Sequence, residues 1–336
     1  MLASPIISRN VDPFAELTKN VNINDSKHRW SLVPDSEGRM HMVDLNPLDL
    51  DTFEPLSIPE EDVVFILHTR TNPTIGQVIT NNLASIQNSN FNPDNPTRVT
   101  IHGWLGTAGS EVNVGVNSAY FQRGDYNMIT VDWSIGASPV NYITARNRVG
   151  DTARWVAELI DFLHLNNYVR FEDLHAIGHS LGGQMVGLIG KAVTRGRIQV
   201  IYPLDPAGPL FSLDSPTERV HPTDGVYVEV MHTNGGLLGF REPIGQADFF
   251  PNYGRTQPGC GGDVSGQCAH ARTVLFYAES INHPFTSHEC SSFADIDNGF
   301  CTRTGRTALM GGAVGNIGLT GNFVVYTNEA APFSMG

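Results

Sequence analysis

The sequence predicts an α/β fold with a mostly parallel central sheet and helices on both faces. Apolar segments typical of buried strands recur along the chain from Val63, and helical patterns separate several of them. With 336 residues, the chain is long enough for one large core. Because parallel strands need crossover connections, alternating strands and helices are typical of such a sheet. We therefore expect one α/β domain over residues 61–336.

Several segments of this region are assigned to individual elements. The expected strands are VVFILH (63–68), RVTIHGW (98–104), NMITVDW (127–133), LHAIG (174–178), VIYPLD (200–205), VYVEVMH (226–232) and FVVYT (323–327). The expected helices are 146–165, 181–195 and 270–281, the first with apolar residues at helical spacing from Val149 to Leu163. The segment 305–322 is rich in glycine and is expected to be a loop.

Residues 1–60 are expected to form an N-terminal extension, because they are polar and rich in Asn, Asp and Pro. Within them, RWSLVPDSEGRMHMVDL (29–45) predicts two short strands around a DSEG turn. The first residues lack the basic and apolar segments of a signal peptide, which indicates either a cytoplasmic chain or a numbering that starts after processing. No stretch approaches the roughly 18 apolar residues expected of a transmembrane helix.

The composition is acidic. The chain has 34 Asp and Glu residues against 21 Lys and Arg residues, which gives a net charge of −13. This charge argues against nucleic acid as a partner and disfavours strongly anionic membranes, whereas zwitterionic or neutral lipid is compatible with it. The sequence indicates no cofactor and does not predict the oligomeric state.

The four cysteines, Cys260, Cys268, Cys290 and Cys301, lie close together in the sequence. Two short-loop disulfides, Cys260–Cys268 and Cys290–Cys301, are the simplest of the three possible pairings. Disulfides indicate an oxidising compartment. A zinc site that includes His270 is the alternative, but its ligand spacing would be unusual, so no metal is predicted.

The most informative segment is AIGHSLGG (176–183), in which Gly178-His179-Ser180-Leu181-Gly182 matches G-x-S-x-G between a strand and a helix. On such a turn the serine Oγ projects above the sheet, and the flanking glycines leave room for neighbouring backbone. The helix N-terminus offers free N–H groups to an oxyanion. Ser180 is therefore predicted to be a nucleophile. The alternative is a tight turn in which Ser180 only caps the helix.

A serine nucleophile needs a base, and the base needs an acid that orients it. The acid is expected to follow the serine in the chain, which favours Asp205, at the end of an apolar strand, over Asp132, which precedes the serine. The histidines after Asp205 are His221, His232, His270, His283 and His288. The residues alone favour His270, which follows Cys268 at the start of a helix, and leave the others open.

Two backbone N–H groups are expected to form an oxyanion hole. One belongs to Leu181, the residue after the nucleophile. The other is expected in a loop after an early strand, where IHGWLGT (101–107) places Trp104 directly after a His-Gly pair. The alternative for this second segment is a glycine turn with Trp104 in the core.

Together these segments resemble the pancreatic-lipase family of α/β hydrolases, particularly its insect members. The matching pieces occur in the family's order and are VTIHGWLG, ITVDW, GHSLGG, PLDPAGPLF, DFFPNYG, PGC, CAHARTVLFYAESI and NFVVYTNEAAPF. The resemblance implies the α/β-hydrolase fold, a catalytic triad of Ser180, Asp205 and His270, and an oxyanion hole of Trp104 and Leu181. It also implies that the chain stops where the family's catalytic domain stops, so no C-terminal β-sandwich domain is expected.

The resemblance also bears on substrate and metal. The family's lid lies between a cysteine pair, here Cys260 and Cys268, and such a short polar lid resembles phospholipase A1 and galactolipase members rather than triglyceride lipases. The family's calcium loop corresponds to TERVHPTDG (217–225). Asp224 is kept there, but His221 stands where an acid is usual, so bound calcium is not expected.

The leading hypothesis is a secreted serine esterase that hydrolyses acyl esters of lipids, of phospholipase A1 or neutral-lipase type. Its expected partner is a lipid substrate or a lipid surface. The alternative is an insect yolk or egg storage protein on the same fold, with little or latent activity, which the acidic charge and the insect-like N-terminus allow. Either hypothesis implies an extracellular protein or one stored in yolk granules.

Overall fold

The fold is organised around one large sheet. The structure, a computed structural model, describes residues 30–34, 39–44, 60–138 and 141–336. Its strands are β1 (Trp30–Pro34), β2 (Met40–Asp44), β3 (Val64–His68), β4 (Gln77–Ile79), β5 (Thr97–Ile101), β6 (Asn127–Asp132), β7 (Leu174–His179), β8 (Val200–Leu204), β9 (Tyr227–Met231), β10 (Ala247–Pro251), β11 (Thr286–Cys290), β12 (Arg303–Leu309) and β13 (Gly321–Val325). Its α-helices are α1 (Leu83–Gln87), α2 (Glu111–Arg123), α3 (Ser134–Ala137), α4 (Tyr142–Leu165), α5 (Leu181–Ala192), α6 (Gln267–Ser280) and α7 (Phe293–Asp297).

The large sheet has the strand order β12-β11-β13-β10-β9-β8-β7-β5-β6-β3-β4. The run from β13 to β6 is parallel, and the outer strands β12, β11, β3 and β4 pair antiparallel with their neighbours. Strands covered on both faces are buried along their whole length, as in β5, β8 and β9. β13, the last described strand in the chain, lies between β10 and β11. The predicted mostly parallel sheet is confirmed.

Helices cover both faces of this sheet. Successive side chains of a strand point to opposite faces, and in β8 Val200 belongs to one apolar cluster and Ile201 to the other. Residues of α4 and α5 pack in the cluster of Ile201, and residues of α2 and α6 pack in that of Val200. The prediction of helices on both faces is therefore confirmed.

A two-stranded hairpin of β1 and β2 lies apart from the large sheet. Its antiparallel register places Leu32 opposite Met42. Val33 and Val43 are buried and belong to the apolar cluster that contains α4. The two strands fall within the pair that the sequence predicts, whereas the DSEG turn and the rest of the predicted extension lie outside the described residues. The domain boundary near residue 60 stays a prediction.

The prediction of a loop over 305–322 is wrong for its first part, because β12 covers Arg303–Leu309. β12 forms the edge of the sheet and pairs antiparallel with β11, and its side chains are almost all exposed. Backbone hydrogen bonds to the neighbouring strand, rather than apolar burial, hold such an edge. Its sequence therefore carries no pattern of alternating apolar residues.

Candidate active site

Ser180 forms a sharp turn between β7 and α5. It alone connects the two elements, with a φ of 59° that is uncommon for a residue other than glycine. The neighbouring glycines are needed for space. A Cβ on Gly178 would lie 2.0 Å from the carbonyl oxygen of Gly182, and a Cβ on Gly182 would lie 2.4 Å from that of Ile101. These close approaches explain why glycines flank the serine in the G-x-S-x-G segment.

Asp205 directly follows β8 and is completely buried. Its Oδ1 accepts hydrogen bonds from the backbone N–H groups of Thr233 at 2.8 Å and Asn234 at 3.0 Å. Its Oδ2 lies 2.6 Å from Nδ1 of His270. Burying a carboxylate is costly unless it is hydrogen-bonded, and these three donors satisfy it. They also fix the oxygen that faces the imidazole.

His270 lies in the first turn of α6 and is 8% exposed. Because a carboxylate oxygen only accepts hydrogen bonds, Nδ1 of His270 carries the proton, and Nε2 of the neutral ring is left to take one. The ring of His179 lies beside it with the centroids 4.4 Å apart, and Nε2–H of His179 donates to the backbone carbonyl of His270 at 3.1 Å. Burial and the nearby His270 lower the pKa of His179 well below its usual value, which disfavours a charged His179 beside His270.

Ser180 and His270 line one cavity of about 360 Å³, which is within the size range of small-molecule sites. Most of the remaining wall is apolar and includes Val33, Trp104, Tyr142, Leu238, Val274 and Leu275. Ser180 and His270 thus face a space that suits an apolar chain.

Trp104 and Leu181 flank the serine. The loop after β5 packs directly against it, since a Cβ on Gly103 would lie 2.8 Å from Cβ of Ser180. Leu181 is the first residue of α5, where backbone N–H groups have no acceptor within the helix. These are the two positions that the sequence predicts for an oxyanion hole, and that role stays a prediction.

His102 is completely buried and holds the loop after β5 through its contacts with Gly103 and Trp133. Its Nδ1 lies 2.9 Å from the carbonyl oxygen of Gly103, and its Nε2 lies 3.2 Å from the backbone nitrogen of Trp133. Asp132, the rival candidate acid, lies 3.4 Å from the same Nε2. Burial alone would raise the pKa of Asp132, but hydrogen bonds with His102 and Ser134 lower it to about 2. Asp132 is thus an ionised neighbour of the supporting histidine rather than of the candidate base.

Among the histidines that follow Asp205 in the chain, His270 is the one that the structure brings to its carboxylate. His232 instead lies 2.9 Å from Oδ1 of Asp248 and 2.9 Å from the carbonyl oxygen of Phe240. Burial alone would lower the pKa of His232, but the hydrogen bond with Asp248 raises it. His232 therefore stabilises the backbone just before the two N–H groups that hold Asp205.

Gly239 is a part of the site that sequence reasoning does not find. A Cβ at this position would lie 2.4 Å from Oδ1 of Asp205 and 2.6 Å from Oδ2. The loop after β9 can therefore close over the acid only with glycine here. The segment NGGLLGF (234–240) contains three glycines, and their spacing does not reveal which one faces the carboxylate.

A family model described as Lipase matches residues 47–333. The chain belongs to the Lipase family. It is 35% identical over 255 residues to Lipase member H of Oryctolagus cuniculus, and the matched region covers 73% of this chain and 55% of that protein. It is 33% identical over 264 residues to pancreatic triacylglycerol lipase of Mus musculus, and the matched region covers 71% of this chain and 56% of that protein. The chain thus matches little more than half the length of these relatives.

Both predicted disulfides of this Lipase-family chain are present: Cys260 is bonded to Cys268, and Cys290 to Cys301. Within the described residues, Cys260, Asp263 and Cys268 form a group whose atoms lie close enough to share a metal ion. Zinc is bound by thiolates, however, and sulfurs joined in a disulfide cannot serve that role. The alternative of a zinc site at these cysteines is therefore wrong.

The segment that resembles the calcium loop of the Lipase family does not fit a calcium ion. The Lys191 ammonium group donates to Oδ1 of the buried Asp224 and, at 2.8 Å, to the backbone carbonyl of Arg219. The N–H of His221 donates to Oδ2 of Asp224 at 2.7 Å. Burial raises the pKa of Asp224 to about 6 despite these partners. The oxygen atoms that calcium prefers are thus already bound to an internal cation.

None of the helices in the described part of the chain combines the length and the apolar composition that crossing a bilayer requires.

Proposed function

We propose that this chain is a serine carboxylic ester hydrolase that acts on acyl esters of lipids. One observation carries the proposal: Nδ1 of His270 lies 2.6 Å from Oδ2 of the buried Asp205, and His270 lines the same cavity as Ser180. Membership in the Lipase family and the names of the relatives support the same reaction class.

Acylation is the first half of the proposed reaction. Oγ of Ser180 attacks the carbonyl carbon of the ester while Nε2 of His270 takes the hydroxyl proton, and Asp205 stabilises the imidazolium ion. The carbonyl oxygen becomes an oxyanion, which the N–H groups of Trp104 and Leu181 stabilise. When the tetrahedral intermediate collapses, His270 gives the proton to the leaving alkoxide oxygen. The alcohol departs, and the acyl group stays on Ser180.

Deacylation repeats these steps with water. His270 takes a proton from the water molecule, whose oxygen attacks the acyl carbon. The second intermediate releases the carboxylic acid, and the proton returns to Oγ of Ser180. Removal of one oxyanion donor costs about 10²- to 10³-fold in kcat, and removal of the nucleophile about 10⁶-fold, in enzymes of this mechanism.

The short lid leads us to propose phospholipids, cleaved at the sn-1 position, over triacylglycerols, while the apolar cavity wall suits an acyl chain of either lipid. The wall offers space for one acyl chain beside the nucleophile. Of the loop between Cys260 and Cys268, only Gln267 lines the cavity. A polar head group can therefore stand at the cavity mouth without a long lid having to open. The two disulfides further support an extracellular location for such an enzyme.

A fluorophosphonate probe tests the nucleophile. The probe is expected to form an adduct on Ser180, located by peptide mass, and labelling is expected to disappear in Ser180→Ala and His270→Ala. His283→Ala is the matched control, because it removes an exposed histidine and should leave labelling unchanged. Absence of labelling in folded parent protein would contradict the proposal and favour a storage or lipid-binding role on the same fold.

Labelled lipids test the substrate class. Phosphatidylcholine with different acyl chains at sn-1 and sn-2 and a triacylglycerol of the same chains would be supplied in matched mixed micelles. Release of the sn-1 acid, at a higher rate than any acid from the triacylglycerol, is the expected result. Preferential hydrolysis of the triacylglycerol would overturn the phospholipase A1 assignment and leave the esterase assignment standing.

A further inference from the structure

The β1–β2 hairpin has two faces, and only one of them packs against other residues that the structure describes. On the inner face Val33 and Val43 are 7% and 3% exposed. On the outer face Leu32 and Met42 are 52% and 70% exposed, and the register places them directly opposite each other. In a hairpin with one solvated face, that face is normally polar. Here it carries an exposed apolar pair.

The inner face is a wall of the candidate active site. Val33 lines the cavity that contains Ser180 and His270. The ring of His41 on β2 lies edge-on to the ring of Trp104, with the centroids 5.2 Å apart. The hairpin is therefore seated at the cavity itself, next to a residue predicted to hold the oxyanion.

Exposed apolar side chains continue on the hairpin and on one other element that borders the cavity. Met40 of the hairpin is 38% exposed. Val264, in the loop closed by the Cys260–Cys268 disulfide, is 60% exposed, and Gln267 near the end of that loop lines the cavity. The apolar surface thus adjoins the site on two sides.

We propose that the outer face of the hairpin, formed by Leu32, Met40 and Met42, docks on the surface of an uncharged or zwitterionic lipid aggregate. The inference rests on the proposed function, because only a lipid ester arrives as part of such a surface. The opposite face of the same two strands is a cavity wall, so only the hairpin separates a lipid layer on the outer face from the site. A net charge of −13 disfavours anionic lipid.

The expected effect follows from the exposed apolar area. Leu32 and Met42 start about half exposed or more, so docking removes a large share of their apolar area from water. Their replacement by serine is therefore expected to weaken partition onto lipid on the order of 30-fold. Binding to a partner that recognises charged side chains would not change, because neither substitution alters a charge.

Flotation with phosphatidylcholine vesicles measures docking without turnover. The Ser180→Ala chain is expected to float with the vesicles, and the same chain with Leu32→Ser and Met42→Ser is expected to stay in the aqueous fraction. The matched control carries Ile75→Ser and Val78→Ser, which also remove two exposed apolar side chains, near and on the edge strand β4. Equal flotation of all three chains, or of none, would overturn the inference.

Hydrolysis separates this inference from the proposed function. Neither Leu32 nor Met42 lines the cavity, so the double variant is expected to hydrolyse a water-soluble short-chain ester like the parent and to lose activity on vesicles. Loss of both activities with unchanged circular dichroism would place the hairpin in the site rather than on the lipid. Absence of soluble-ester hydrolysis in the parent would refute the proposed function instead, and the flotation result would still stand.

Discussion

Gly239 allows the proposed triad of Ser180, Asp205 and His270 to be tested without a change to any of the three side chains. Gly239→Ala adds one methyl group, which would lie 2.4 Å from Oδ1 of Asp205 and 2.6 Å from Oδ2. Cβ atoms essentially never come closer than 3.0 Å to such neighbours. The carboxylate or the loop must therefore move by roughly 0.5 Å or more.

This displacement acts on the hydrogen bond between Asp205 and His270. The bond is 2.6 Å long, and a shift of that size takes it toward about 3.2 Å, the upper limit of ordinary hydrogen bonds. Replacement of the triad acid by its amide costs about 10⁴-fold in kcat, and a misplacement of about 1 Å can cost about 10²-fold. Since the shift is about half of that 1 Å, we expect Gly239→Ala to lower kcat by up to about 10²-fold, with a smaller change in KM because Gly239 itself does not line the cavity.

The assay is steady-state hydrolysis of a water-soluble ester by the parent and by folded Gly239→Ala. Gly261→Ala is the matched control, because a Cβ at Gly261 has no atom within 4 Å and its backbone has no positive φ. Circular dichroism and Tm report whether each variant is folded. If folded Gly239→Ala had the kcat of the parent, the hydrogen bond that His270 donates to Asp205 would not be what activates the serine.

Three further substitutions test other parts of the molecule. Burial raises the pKa of Glu229 from 4.5 to about 7. The folded state therefore holds this proton more tightly than the unfolded chain, and the resulting stabilisation is fully present below pH 4.5. It is lost as the pH rises through 7, by about 3 kcal/mol in total. Urea unfolding of Glu229→Gln at several pH values is expected to lack this loss, and an unchanged pH dependence would contradict it. Lys191→Met leaves the buried Asp224 without its cation and is expected to lower the free energy of unfolding by about 2 kcal/mol. The Tm of the parent is expected to be the same in calcium and in EDTA, and a rise with calcium would show that the loop binds the ion after all. Gly103→Ala brings a Cβ within 2.8 Å of Ser180 and is expected to lower kcat at least about tenfold at unchanged Tm; an unchanged kcat would mean that this loop does not pack on the nucleophile.

The sequence predicts the centre of the sheet well, because strands buried on both faces must be apolar along their whole length. The predicted segments 127–133 and 200–205 differ from β6 and β8 by only one residue at the carboxyl end. Elements outside the central strands are harder to predict from the sequence. α2 buries Asn113 and Asn117 and contains a glycine, so its apolar pattern is weak and the sequence does not reveal the helix.

The residues of the candidate site likewise fall into those that local sequence predicts and those that only the folded structure brings together. Local signals identify Ser180, because a strand, a glycine-flanked turn and a helix must follow one another in the chain. The contact of His270 with Asp205 joins residues 65 positions apart, so spacing alone leaves several histidines open and the resemblance is needed to choose. Gly239 depends on a loop that folds back over Asp205, and no local pattern encodes that approach.

The place of β13 between β10 and β11 has a consequence for folding during synthesis. All the neighbours of β13 leave the ribosome before residues 321–325 do, so β10 waits with one open parallel edge, and its residues are ADFFP. An unpaired apolar edge is a template for pairing with other chains. The hairpin of β11 and β12 can join the sheet only after β13 has been inserted. Synthesis of this protein therefore passes through a stage with an open apolar edge, which closes when β13, the last strand among the described residues, pairs with β10.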